Sequence, residues 1–255
     1  MNLYVSGILC VAGTMIATGV LAVVLRRARQ VEGREANNEL AGQVFTVVGG
    51  VNVVIAAFVL ISLFDATDQA QDNSYAEANA LVATQWSVDS LPSATSRRVH
   101  ELTKSYAQIV AGKEWATMAD GGEVGQQGWD VLAELQTTIQ QAKTTTERQE
   151  QSRAEAANQV WKVYEARQTR LNSSGSNVSS VVWFAILIGS IMSVALMFMF
   201  GGPGLISYSF IVSLLAGAIG LMLFAIYQLQ NPFSGGASIG PDAFVAALAR
   251  LTTGG

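Results

Sequence analysis

Residues 44–81 read VFTVVGGVNVVIAAFVLISLFDATDQAQDNSYAEANAL. From Val44 to Phe64 there is no charge; Asp65 ends the run, and Asp68, Asp72 and Glu77 follow. A bilayer core takes roughly 20 helical residues, so the first part can cross a membrane and the second leaves it. The rest of the chain is arranged around this junction. A polar block from Asp65 to Ser179 lies between two pairs of apolar runs. The expected fold is all-α: four transmembrane helices with a helical extramembrane domain inserted between the second and third. The expected divisions are residues 1–64 (spans about 3–25 and 44–64), 65–179, 180–229 (spans about 180–200 and 205–229) and a tail, 230–255.

Upstream, Leu3 to Leu25 is a second uncharged run. No Lys or Arg precedes it, and it exceeds the roughly 7–15 residues of a secretory core, so it reads as a span rather than a leader. Gly13, Ala17 and Leu21 share one face, a pattern that lets helices approach closely. Arg26, Arg27, Arg29 and Arg34 follow at once. A short arginine-rich loop beside a span marks the cytoplasmic side. On that rule residues 65–179 lean to the extracytoplasmic side of the membrane; Arg167 and Arg170, near the third span, point the other way.

Inside the second span, Asn52 is costly unless it faces protein or a water path. Phe45, Ile55, Phe58, Ile61 and Phe64 recur at helical spacing. Ordinary packing or lipid contact explains such a stripe, and so does a hydrophobic constriction that gates by dewetting. The candidate pore residues are Asn52, Ile55, Phe58, Ile61 and Phe64.

The polar block holds 10 Lys and Arg against 15 Asp and Glu, so it offers no basic face. A helix is expected over 74–88, and Pro92 breaks the chain. Val99, Leu102, Tyr106, Ile109, Val110 and Lys113 form the stripe of the next helix, with His100 just off it. Glu114 and Trp115 end that helix, and Gly121-Gly122 turns the chain. A long helix is expected from Gly128 to Arg170, with Thr144-Thr145-Thr146 its weakest point because β-branched residues are poorer helix formers. Asn172 to Asn177 reads as a Ser/Gly linker. Val178 to Phe200 and Leu205 to Leu229 form the third and fourth spans, joined by a turn at residues 201–204. Gly189 with Ser193, and Ala216 with Gly220, give small faces. A short amphipathic helix, Ile239 to Leu251, opens at Pro241 and Asp242, with Phe244, Val245, Leu248 and Leu251 on one side.

Composition excludes several classes. Charged residues are only 13% of the chain, against about 25% in soluble proteins. The net charge of −4 gives no footprint for nucleic acid. With one cysteine, Cys10, and one histidine, His100, no His/Cys metal cluster or internal disulfide can be built. No cofactor, metal or catalytic residue is expected. Glu114 is the best single carboxylate for a perturbed environment, and packing at a helix end is the commoner explanation for it.

Glu77-Ala78-Asn79-Ala80-Leu81 after the second span, Leu91-Pro92, Tyr106 with Glu114-Trp115, and the tail Asn231-Pro232-Phe233, Gly236, Ile239, Pro241 and Phe244 stand in a particular order and spacing. With the layout of two spans, a helical domain and two spans, the chain resembles the bestrophin-like domain-of-unknown-function family of bacterial membrane proteins. The resemblance implies an oligomeric channel for a small inorganic anion such as chloride, pentameric as in known bestrophins, with the second span lining a hydrophobic neck. Bestrophins keep the large domain in the cytoplasm, whereas the arginines here lean the other way. The partners expected are the lipid bilayer, further copies of the chain and an anion, without nucleic acid. The alternative is a membrane-anchored ligand-sensing or scaffold module acting through a partner protein. An enzyme is the least supported reading, since the spans carry no acid, base or histidine.

Overall fold

The computed structural model describes residues 3–29, 38–175, 178–199 and 204–253. Arg34, Asn177 and Phe200, named above, lie outside them, as do parts of the arginine-rich loop and of the 201–204 turn. Among the described residues the regular structure is entirely helical: α1 (Leu3–Arg29), α2 (Asn38–Ser87), α3 (Ser93–Ile109) running through a π turn (Val110–Glu114) into α4 (Trp115–Ala119), α5 (Gln127–Gln140), α6 (Glu147–Ser174), α7 (Ser180–Met197), α8 (Leu205–Leu229) and α9 (Asp242–Thr253). Four of these, α1, α2, α7 and α8, contain stretches long and apolar enough to cross a membrane. The chain forms two units, residues 1–64 with 177–230, and residues 65–176 with 231–255.

Several sequence expectations are corrected. No helix starts at Ser74: α2 runs unbroken from Asn38 to Ser87, because the stretch from Asp65 to Asn73 holds neither Pro nor Gly. The helix expected over 128–170 is two, α5 and α6, and the break falls at the threonines. Thr146 caps α6, its side chain accepting the Gln149 amide at 3.3 Å. Residues 172–174 are helical rather than linker. The α3 helix does not end at Trp115. The π turn inserts one extra residue, so Lys113 is turned outward, while Glu114, Trp115 and Met118 are buried.

The first unit is built on small residues. A Cβ at Gly19 would lie 2.6 Å from Ser213 Oγ, at Gly217 2.6 Å from Met15 Cγ, and at Gly220 2.7 Å from Thr14 Oγ1, so α1 and α8 touch closely. The face of α1 that carries Gly13, Ala17 and Leu21 is not the one used: nothing lies within 4 Å of a Cβ at Gly13. Ala56 and Leu63 of α2, Ile186 of α7 and Ile226 of α8 form one buried cluster.

The second unit has one core, drawn from the α2 residues beyond Phe64, α3, the π turn, α4, α5, α6, the segment around Phe233, and α9. α9 packs on it through Ala243, Phe244, Ala247 and Leu251; Val245, expected on that face, is 54% exposed. Asn231 Oδ1 accepts the Phe233 amide at 2.9 Å, and Gly235 takes a positive φ of 89° in the following turn. Trp115 Nε1 then donates to the Ile239 carbonyl at 3.2 Å, and its ring meets Phe233 edge-on at 5.4 Å.

Four charges stand at the centre of this core. Arg167 donates from both terminal nitrogens to Glu114, at 2.9 and 2.8 Å. Arg170 donates to both oxygens of Glu77, at 2.7 and 3.1 Å, and reaches Glu114 at 3.3 Å. Tyr106 Oη donates to Glu77 Oε1 at 2.5 Å and accepts from Arg167 at 3.2 Å. Both arginines are fully buried. Arg167 lies 4.5 Å from the Trp129 ring centroid, and Arg170 lies 5.6 Å from that of Phe244. Burial alone would pull both guanidinium pKa values down. Glu114 and Tyr106 together outweigh it at Arg167, and Glu77, Tyr106 and Glu114 together at Arg170, so both stand above the usual range. For the Tyr106 phenol, burial and then the charge of Glu77 push the pKa well above its ordinary value.

Removing one partner of a buried ion pair costs about 3–5 kcal/mol. Arg170→Met should therefore lower the melting temperature of the purified protein steeply, whereas Arg98→Ala, which breaks an exposed pair with Glu101 and Glu134, should leave it unchanged. Tyr106 adds an alkaline limit. Unfolded chains lose the phenolic proton near about pH 10 while the folded one keeps it. Its contribution is complete below that pH and is lost as pH rises toward the folded pKa. Melting against pH should decline above about pH 10 and decline less in Tyr106→Phe.

Candidate functional site

The membrane half of α2 has two unlike faces. One carries Val47, Val51, Val54, Phe58 and Ile61, which are 66, 57, 54, 69 and 57% exposed. Their spacing alternates between four and three residues, which keeps them on one side of a helix. The opposite face carries Asn52, Ala56 and Leu63, all buried. Asn52 and Ala56 lie where α7 packs, with Leu63 below them, and most of the large apolar residues lie away from it.

The five candidate pore residues therefore divide. Phe58 and Ile61 are on the outward stripe. Phe64, 56% exposed, stands on its flank. Ile55 is half-buried against the Ala56–Ile186 cluster. Asn52 is turned inward, only 5% exposed. Its Nδ2 donates to Ser190 Oγ at 3.3 Å. Its Oδ1 lies 2.4 Å from where a Cβ at Gly189 would stand, and nothing donates to it. Asn52 is thus a contact between helices rather than part of the outward wall.

In the second unit, Glu114 is buried and held by two guanidinium groups. His100 is partly exposed, with Nε2 4.0 Å from Asp89. Among the described residues no three His, Cys, Asp or Glu side chains gather as a metal would need. A half-open cavity of about 330 Å3 is lined by Thr67, Gln71, Ser74 and Tyr75 on one side and by residues 237–240, Asp242 and Ala243 on the other.

Sequence reasoning used Arg167 and Arg170 only as a sign of membrane side and Gly128 as a helix start, and did not see that they and Trp129 build the ion cluster. A Cβ at Gly128 would lie 2.3 Å from Glu114 Oε1, so the ion cluster requires glycine there. The available signal was register: Val160, Val163, Arg167 and Arg170 fall on one helical stripe, and the arginines occupy its core positions.

The family model for the Bestrophin-like domain matches residues 12–244. The chain belongs to the Bestrophin-like family. Among solved structures it is similar to two singly substituted forms of a bacterial bestrophin homologue from Klebsiella pneumoniae. Both are 11% identical, with TM-scores of 0.75 and 0.72; the matches cover 97% and 96% of this chain and 98% and 97% of theirs. A structure described as a membrane protein follows the same fold at 10% identity and a TM-score of 0.74, covering 97% of this chain and 98% of its own. No curated protein matches. This Bestrophin-like chain is an integral, helical membrane protein. Of the residues on which the resemblance rests, Glu77, Tyr106, Glu114, Trp115, Phe233 and Phe244 enter the core of its second unit, whereas Asn79 and Gly236 are exposed.

Filling the space beside Asn52 should be felt. Gly189→Ala forces a shift that costs about 1–3 kcal/mol by overpacking, and it should lower the melting temperature in detergent. Gly13→Ala, open on all sides, should not.

Proposed function

We propose that copies of this chain assemble into a membrane channel for ions, with the outward stripe of α2 as its hydrophobic neck. The observation that carries this is the stripe itself. Val51, Val54, Phe58 and Ile61 are large, apolar and unpacked within the chain, and a ring of such helices makes a constriction that passes ions only when wet. Phe58 and Ile61 form the narrowest part, Phe64 and Ile55 flank it, and Asn52 holds the helix from behind. The ring is built from identical subunits, five if it follows bestrophins, and a small anion such as chloride is the ion that the family resemblance implies.

A second reading, cation conduction, is favoured by charge. No Lys or Arg occurs between Arg34 and Arg97, so α2 has no basic residue. Asp65, Asp68 and Asp72 are all exposed on it. Rings of carboxylates select cations. The membrane is bacterial, and residues 65–179 lie on its extracytoplasmic side. The arginines after the first span support that side, and Arg167 and Arg170 do not oppose it, because each is buried and neutralised by a carboxylate.

Flux into liposomes holding the full chain, with chloride and potassium tested separately, decides these points. Conduction should be present, and Phe58→Ala should raise it several-fold by widening and wetting the neck. Chloride preference supports the family reading. Potassium preference weakened by Asp68→Asn supports the second. Absence of flux from folded, inserted protein would overturn the channel.

A further inference from the structure

Asn52 has a second partner within reach of a small movement. Ser190 and Ser193 of α7 are both buried, at 4 and 3% exposure, and are one helical turn apart on the face that meets α2. Ser190 accepts from Asn52 at a long 3.3 Å. The Ser193 hydroxyl is turned back on its own helix and donates to the Gly189 carbonyl at 2.8 Å, the resting bond of a serine with no better acceptor. Meanwhile Asn52 Oδ1 is buried without a donor. An amide oxygen left unpaired away from water is costly, so beside the apolar packing of Ala56 and Leu63 on Ile186 the polar contact of the observed register is one long bond and one unmet acceptor. The residues on either side of Asn52 on that face, Gly49 and Ala56, are small, and Gly189 presents no side chain.

We propose that Asn52 is the positioning residue of a two-position register between α2 and α7, with Ser190 and Ser193 as alternative partners. Passing from one to the other slides the helices by three residues, about 4.5 Å, and carries Phe58 and Ile61 the same distance along α7. One-turn shifts between packed helices are an established way to make a discrete switch. Its use as a gate rests on the channel reading; the register itself does not.

The full chain in detergent tests the register without any flux. Melting temperatures of Asn52→Ala, Ser190→Ala, Ser193→Ala and the two double variants give the coupling of Asn52 to each serine. A two-position register couples Asn52 to both. Coupling to Ser190 with additive shifts for Ser193 would overturn it, whether or not the protein conducts. Single-channel recording then tests the gate. Ser190→Ala and Ser193→Ala should move the open fraction several-fold in opposite directions, and both effects should vanish on an Asn52→Ala background. Shifts in the same direction, or none, in conducting protein would overturn the gating role.

Discussion

The second unit depends on four buried charges that cancel. Glu77 comes from α2, Glu114 from the π turn, and Arg167 and Arg170 from one face of α6. Taking any one of them out of water alone costs several kcal/mol, and the cost is offset only if the others arrive in the right geometry. That condition constrains everything nearby. The π turn exists where an ordinary helix would aim Lys113 inward and Glu114 aside. Gly128 is needed because a methyl group there would collide with the Glu114–Arg167 pair. Aromatic rings of Trp129, Tyr106, Trp115 and Phe244 close the cluster on its remaining sides, in contacts favourable to cations. A mixture of leucines could fill the same space with less demand on register. The charges admit one arrangement.

Much of the architecture was legible in the sequence, because spans of a fixed length and an apolar stripe of fixed period are strong signals. The break at Thr144–Thr146 was legible only as the weakest point of one expected helix, on propensity alone; the cap at Thr146 was not seen. What escaped was every feature in which a polar residue takes a core position. Arg167 and Arg170 continue the stripe of Val160 and Val163, but a reading by hydrophobicity treats them as its end. The π turn left no local mark and shows only in what it brings inward. The unbroken course of α2 was missed for a different reason: the change from apolar to acidic composition at Asp65 looks like a boundary, although the backbone has no cause to stop. Of the pore candidates, spacing placed Phe58 and Ile61 on one side of the helix. It could not say that Asn52 would point the other way, toward Ser190, because that depends on which helix becomes the neighbour.

The first unit is held by different means. In a lipid environment apolar burial gives little reason for helices to meet, and close backbone approach matters more. Gly19, Gly217 and Gly220 on one seam and Gly189 on another supply that approach. The sequence showed two small faces on α7 and α8, as if for each other; α7 turns Gly189 to α2, and α8 turns Gly217 and Gly220 to α1. Many bulky residues of the four helices are thereby left on the outside, while Leu63, Ile186, Tyr208, Val212 and Ile226 fill the spaces between them.

The core of the second unit is not contiguous along the chain. Phe233, Phe244 and Leu251 close it, and they follow α7 and α8. When residues 65–176 emerge during synthesis, Trp115 and Tyr106 have no lid, and Glu77 and Glu114 wait for arginines made many residues later. Contacts so distant in sequence form late. Biogenesis therefore has an order: α7 and α8 must both be made before the second unit can finish folding. A fragment cut at the limits of the polar block would carry the four charges without the wall that keeps water from them.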